Sequence, residues 1–437
     1  MNTATGSPVS ERHAWYVVWL CMVAYIFSFI DRQILALLIG PIQADLGITD
    51  TQFGLLHGLA FSIFYATMGI PIATLSDRTS RPLIIAAGVA FWSLATAACG
   101  LARSFTQMFI ARICVGAGEA ALSPATYSLI SDLMPREKLG RAVALYSLGS
   151  FLGAGIAFLV GGSVIAMVSG DGPRMIAGME FKPWQLVFLI VGLPGLLLAL
   201  VIGLTVREPA GGRRTVEPSP PFSAVLRFLS AERGIFLPHF AGFTLAAMAL
   251  FTLLGWSPAY LMRSFGLSPA SCGLYLGIIA IIGGGGGVLT SGWLNDRLNR
   301  AGHSDAPFRA GMVGIGGVII PTALLPFAPS LPVALGLLLV AQFFASFPMP
   351  PSAAVMQIVP PPLMRSRVSA LFLCVNSLLG LAVGSALVGL LNDKVFGSQA
   401  AIGSSIALVT AGAGIFGLLL LSLGMAPMRR FMAREAA

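Results

Sequence analysis

The chain has 437 residues, 56% of them hydrophobic and only 10% charged, against roughly 25% charged in an average soluble domain. A soluble protein of this size needs a large polar exterior. Composition therefore excludes a cytosolic enzyme, a disordered scaffold and a free nucleic-acid binder. What remains is a polytopic, all-α membrane protein. The excess of 26 Lys and Arg over 17 Asp and Glu fits basic loops on the inner side of a membrane.

A membrane-crossing helix takes about 20 mostly apolar residues. In chain order such runs occur at 14–39, 52–75, 83–102, 105–131, 142–168 and 185–206, then at 235–261, 270–294, 308–328, 331–357, 368–391 and 403–425. Twelve spans are expected, in two six-helix bundles over 1–206 and 235–437. The polar stretch 207–234 between them holds five Arg, three Glu and Pro218-Ser-Pro-Pro221, which reads as a cytoplasmic linker. The first run is longer than a signal-peptide core and lacks a small-residue cleavage site, so it is expected to stay as span 1. The five cysteines fall inside apolar runs without a Cys-x-x-Cys pair; they read as core residues, with no metal site.

With both termini inside, nineteen of the 26 basic residues fall in inner loops. Five, Arg103, Arg174, Lys182, Arg263 and Lys394, fall outside, and Arg32 and Arg112 lie within spans. That bias fixes the expected orientation.

An internal repeat is visible. Ala73-x-x-x-Asp77-Arg78-x-Ser80-Arg81 between spans 2 and 3 returns as Gly292-x-x-x-Asp296-Arg297-x-Asn299-Arg300 between spans 8 and 9, displaced by 219. Pro135 and Arg141 return as Pro361 and Arg367, displaced by 226, and Pro124 of span 4 returns as Pro350 of span 10. Two parallel halves of this kind place a binding site near the midplane between them. An Asp in such a loop can face a helix N-terminus while its Arg neighbours pair with acids or helix C-termini. Asp77, Arg78, Arg81, Arg141, Asp296, Arg297, Arg300 and Arg367 are therefore the gating candidates, against the plainer role of anchoring short basic loops.

Ionisable groups inside a membrane cost roughly 2.5–3.5 kcal/mol each and mark function by default. Four occur, Asp31 and Arg32 on span 1 and Arg112 and Glu119 on span 4. Asp31 and Arg112 lie at matching depth, eight and seven residues from the outer ends of their spans, and are able to pair. Glu119 follows Arg112 by two turns on the same face, about 10 Å deeper. Burial suits Glu119, and after it Asp31, to carry a proton, with Asp31 also able to switch between arginine partners. Arg32 and Arg112 suit a phosphate or carboxylate, because guanidinium binds planar oxyanions bidentately. The simpler alternative is a charge cluster that holds spans 1 and 4 together. Spans 7 and 10 carry no core charge and offer Phe243, Trp256, Tyr260 and Phe347. A cavity charged on one wall and aromatic on the other would take an amphipathic anion.

These features resemble the major facilitator superfamily. Its Gly-x-x-x-Asp-Arg-x-Gly-Arg loop occurs twice, with departures at Ala73, Ser80 and Asn299. Its span 4 pattern is matched by Arg112-Ile-Cys-Val-Gly116-Ala-Gly118-Glu119-Ala120, and its span 5 glycines by Gly149, Gly153, Gly161 and Gly162, with Ala154 in place of the usual Pro of antiporters. Ile30-Asp31-Arg32-Gln33, with Arg112 and Glu119, is similar to the spinster branch. The resemblance implies a monomeric, proton-linked transporter of lysolipids or sphingoid phosphates in a bacterial inner membrane, without a cofactor. A small organic anion or a multidrug substrate is the alternative.

Other motifs lead elsewhere and fail. Gly283 to Gly287 precede no Gly-Lys-Ser/Thr, so they form no phosphate loop, and are expected to permit close helix packing. Gly116-Ala-Gly118 follows no strand. His57 reads as a satisfied polar residue rather than a proton relay. An intramembrane aspartyl protease would use Glu119 and Asp31, but neighbouring guanidiniums cancel the mutual repulsion that a shared-proton dyad needs.

Overall fold

The computed structural model describes residues 10–76, 79–168, 170, 172–176, 178–209 and 221–436. Among these, eleven helices are long and apolar enough to cross a membrane. Numbered by span they are α1 (Glu11–Leu37), α3 (Arg81–Cys99), α4 (Phe105–Leu133), α5 (Glu137–Val168), α6 (Pro183–Thr205), α7 (Arg233–Phe265), α8 (Pro269–Arg300), α9 (Ala306–Phe327), α10 (Leu331–Ile358), α11 (Pro362–Phe396) and α12 (Gln399–Glu435). The expected second span, α2, is helical through Asp50–Gly54, a π turn at Leu55–Leu59, and Ala60–Ser76. Asp77 and Arg78 lie outside the described residues.

Proline sets the breaks. Pro124 lacks an N–H and crowds the carbonyl four residues back, and α4 is interrupted at Ala120 and Ala121 between Phe105–Glu119 and Leu122–Leu133. In α10 the helix stops at Ser346 and restarts at Met349, where Pro348, Pro350 and Pro351 cluster. The repeat in sequence is thus a repeat in helix geometry. A short antiparallel hairpin, Arg174–Ile176 with Met179–Phe181, joins α5 to α6.

Backbone contacts divide the chain into two compact units. One holds Met1–Ile34 and Ile63–Glu217, the other Leu35–Ser62 and Pro218–Ala437. In the first, a Cβ at Gly149 would stand 3.0 Å from the Met22 carbonyl oxygen, and one at Gly153 would stand 3.0 Å from Phe29 Cβ. The span 5 glycines therefore let α5 lie directly on α1, since small residues drive helix association in lipid. At one end Arg81, 3% exposed, joins the start of α3 to two other elements. It meets Asp132 of α4 at 2.5 Å and donates through Nε to Glu208, after α6, at 2.6 Å.

The second unit has an apolar core in which Phe236, Phe243, Phe308, Leu421 and Met428 are buried. The glycine run packs as expected, with Gly283 against the Leu339 carbonyl and Gly287 against that of Phe343. A buried polar cluster in this unit centres on Asp50, which is fully buried. Arg263 grips that carboxylate with Nη1 to Oδ2 at 2.8 Å and Nη2 to Oδ1 at 2.7 Å. Gln43 and Asn392 also donate to it, at 2.7 and 2.9 Å. Asp393 accepts from the Thr51 N–H at 2.7 Å and from its hydroxyl at 2.6 Å. Arg263 was expected in a loop; it stands instead in the last turn of α7, because the helix runs on to its αL stop at Gly266.

Between α8 and α9, fully buried Asp305 accepts from Arg309 Nε at 2.7 Å and from Arg429 Nη1 at 2.6 Å. Burial pushes this carboxyl up, but the two guanidinium hydrogen bonds outweigh it and hold it below the ordinary carboxylate range.

Two stability outcomes are expected. Arg263→Ala leaves a buried carboxylate without its cation, a loss of about 3–5 kcal/mol, whereas Asp50→Asn with Arg263→Leu should recover much of it. Thermal unfolding of the purified protein in detergent checks this, and equal midpoints for the single and double variants would contradict it. Because the Asp305 carboxyl is depressed on folding, its contribution is complete above its unfolded pKa of about 3.9 and fades as pH falls through the folded value. The stability gap between wild type and Asp305→Asn should therefore be constant from pH 6 to 8 and shrink below about pH 4.

Candidate functional site: a buried charge cluster on α1 and α4

The four charges picked out from the sequence, Asp31, Arg32, Arg112 and Glu119, belong to the first unit, and the structure brings them together. Ser28 and Arg32 are one turn apart on α1, so they share a face. Both reach Glu119, the last residue before the break in α4. Arg32 Nη2 lies 2.5 Å from Glu119 Oε2, its Nε donates to the same oxygen at 2.7 Å, and Ser28 Oγ donates to it at 2.9 Å. The Glu119 side chain is fully buried, while that of Arg32 is 15% exposed. Every one of these bonds falls on Oε2, and Oε1 is buried without a hydrogen-bond partner.

Arg112 is buried two turns back along α4 and donates through Nη1 to the backbone carbonyl of Asp31 at 3.1 Å. Asp31 is also buried, and its Oδ1 has no hydrogen-bond partner. The matched depth expected for Asp31 and Arg112 is thus realised as a contact to main chain. Arg32 reaches further, to Glu119, because its long stem spans from α1 to the end of the first α4 segment. Its guanidinium is also flanked by two rings, 5.1 Å from the Phe29 centroid and 4.9 Å from that of Tyr65. Such cation–π contacts hold a cation that has left water.

Chemically, this is one cation held by one carboxylate oxygen, with a second carboxylate and a second guanidinium adjoining. Protonation of Glu119 removes the charge that Arg32 answers, and frees guanidinium N–H groups for another oxyanion.

The four aromatic candidates lie in the second unit, each engaged there. Trp256 donates Nε1–H to the Ser385 carbonyl at 3.2 Å, and Tyr260 donates to that of Leu325 at 2.7 Å. Phe243 belongs to the buried core, and Phe347 packs against Phe343 at 5.9 Å. His57 is buried in the π turn of α2, with Nδ1 3.4 Å from Ser385 Oγ, in line with a satisfied polar residue. Among the gating candidates, Arg81 joins Asp132 and Glu208 within the first unit. Arg297 lies over the Trp293 ring at 5.3 Å, and Arg300 Nε donates to the Asp296 carbonyl at 3.4 Å. Arg141 is exposed and Arg367 half-buried.

Sequence reasoning missed Ser28, Tyr65 and the Asp50 cluster. Ser28 carried one available signal, its position a turn before Arg32. Asp50, Arg263 and Asn392 stand at helix ends far apart in the chain, and only folding joins them.

The description Major Facilitator Superfamily fits residues 21–385. An MFS-type efflux pump of Mycolicibacterium smegmatis is 29% identical over 434 residues, 97% of this chain and 96% of the relative. A probable L-galactonate transporter of Escherichia coli is 27% identical over 296 residues, 65% of this chain and 62% of the relative. The crystal structure of a bacterial homologue of the human lysosomal transporter Spinster, inward-facing and unoccupied, superposes with a TM-score of 0.78. It is 26% identical and covers 97% of this chain and 98% of its own. Buried charges on helices 1 and 4, the repeated Asp-Arg loops and these likenesses converge: the chain belongs to the major facilitator superfamily and is a spinster-like membrane transporter, not an enzyme.

Proposed function

We propose that the protein is a proton-coupled secondary transporter of an amphipathic anion, of the size and chemistry of a lysolipid or sphingoid phosphate, working by alternating access. It acts as a monomer in a bacterial inner membrane with both termini cytoplasmic, and the halves 1–206 and 235–437 rock about a midplane site. The observation that carries this reading is the convergence of Arg32 and Ser28 on one oxygen of the buried Glu119. The Glu119 carboxylate and a substrate oxyanion compete for Arg32: when Glu119 is protonated, Arg32 is released to hold a substrate phosphate or carboxylate, with Arg112 as a second donor. Asp31, buried beside both arginines, takes up the compensating charge. Phe243, Trp256, Tyr260 and Phe347 of the second unit remain the aromatic candidates for contact with the apolar part of the substrate. Asp77, Arg78, Arg81 and Arg141 with Asp296, Arg297, Arg300 and Arg367 form the inner gates of the two halves.

A second reading, a small organic anion, is favoured by the likeness to a probable L-galactonate transporter, since a sugar acid presents one carboxylate to the same guanidinium. The likeness to an efflux pump supports export as the direction.

Proteoliposomes under an imposed pH gradient test the coupling, with lysophosphatidic acid and galactonate as the two probes. Glu119→Gln fixes the neutral form. Gradient-driven uptake should fall to background while exchange at equal pH persists. Arg32→Gln should weaken both modes together, at least tenfold. Wild-type gradient-driven rates in Glu119→Gln would remove Glu119 from the proton path. For the gates, spin labels at the ends of α1 and α7 should give two distance populations whose ratio responds to pH. A single distance at every pH would count against rocking.

A further inference from the structure

Beside the charge cluster the first unit carries an unbroken run of aromatic rings that neither the gates nor the proton site uses. It starts at Arg32, whose guanidinium lies over Phe29 and Tyr65. Phe29 meets Tyr25 edge to face at 5.5 Å, and Tyr25 stacks on Tyr146 at 4.9 Å with the planes 14° apart. Tyr146 in turn meets Tyr127 edge to face at 5.2 Å. Along α4, Tyr127 stands eight residues beyond Glu119, about 12 Å at 1.5 Å per residue.

Which way this run faces follows from its charge. A guanidinium in a membrane-spanning segment faces protein or a polar cavity rather than lipid, and Arg32 and the Phe29 and Tyr65 rings it lies over are each partly exposed. The ring edges are polar too. Tyr146 and Ser123 share a hydrogen bond at 3.0 Å, and Tyr127 and Ser147 approach to 3.5 Å. Fully buried Tyr146 backs the run, while Tyr127, 42% exposed, offers a free surface at its far end. Such amphipathic rings present a large apolar surface together with a hydroxyl.

We infer that Tyr65, Tyr25 and Tyr127 form the subsite for the apolar body of the transported anion, extending about 12 Å from the Arg32 anion site along the first unit itself. The inference rests on the anionic-substrate reading and adds to it the placement of the tail. Head and tail then bind to the same unit, so this unit alone can select a substrate by both charge and length.

The test is binding of n-alkyl phosphates, from butyl to dodecyl, to protein in nanodiscs. Partitioning into the nanodisc lipid is common to all variants and cancels in the ratio of variant to wild type. Arg32→Gln should lower affinity by the same factor at every length. Tyr127→Ala should change butyl phosphate less than twofold and dodecyl phosphate about tenfold, the loss expected for stripping part of a chain's apolar contact. Tyr127→Phe should keep the length dependence that Tyr127→Ala loses, and Tyr25→Leu gives a second measure of the same slope. A Tyr127→Ala ratio that is flat with chain length, while Arg32→Gln still weakens binding, overturns the tyrosine subsite and leaves the anion site standing. Wild-type affinity unaffected by Arg32→Gln, or no binding at any length, overturns the anion site and the subsite together.

Discussion

A charge inside a membrane must be answered by another charge or be neutral. Most of the polar architecture here follows from that constraint. Breaking a buried ion pair costs several times what an exposed pair contributes, so each buried carboxylate has strong reasons to keep its partner. Asp50 meets this demand in full, with Arg263, Gln43 and Asn392 all donating to its two oxygens. Glu119 meets it on one side only, since Oε2 takes every hydrogen bond and Oε1 takes none. A saturated carboxylate suits a structural joint, whereas a half-satisfied one suits a group that exchanges its proton.

Close backbone approach is the second requirement, and it has the same origin. Lipid offers no hydrophobic drive between helices, so contact must come from packing and hydrogen bonds. Gly149 and Gly153 seat α5 on α1 directly behind Phe29, the ring under Arg32. In the second unit Gly54 and Gly58 approach the carbonyls of Ser385 and Leu381 to within 2.5 and 2.8 Å of where a Cβ would stand. Those two glycines flank or enter the π turn at Leu55–Leu59, and they meet the π-helical stretch Asn376–Val383 and the residues just after it. π turns gather at functional sites, and here they accompany a close joint between α2 and α11.

The site also explains why this scaffold performs transport and not hydrolysis. Two carboxylates with two guanidiniums compensate one another, which favours swapping of partners over the shared-proton state of an acid dyad. In the proposed cycle the Glu119 carboxylate and a substrate anion are alternatives at Arg32, so a proton on Glu119 and an anion on Arg32 favour each other: each binding event changes the free energy of the other.

By itself the sequence determined the membrane class, the near-complete set of spans, the repeated Asp-Arg loops and the four charges, because length, hydropathy and intramembrane ionisable residues are local properties. It also located the helix breaks, since Pro124 and Pro350 act on their own helices. Partner choice was decided by the tertiary structure. Matching depth along two helices suggested Asp31 with Arg112, and Arg112 does reach the Asp31 carbonyl, while side-chain reach and the Phe29 and Tyr65 rings direct Arg32 to Glu119. The aromatic side chains show the same division. Trp256 and Tyr260 make their hydrogen bonds within the second unit, and the tyrosine run that starts at Arg32 draws on helices 1, 2, 4 and 5. Asp50 and Arg263, 213 residues apart, meet only once the chain has folded, because a pairing across that separation leaves no mark in any local stretch of sequence.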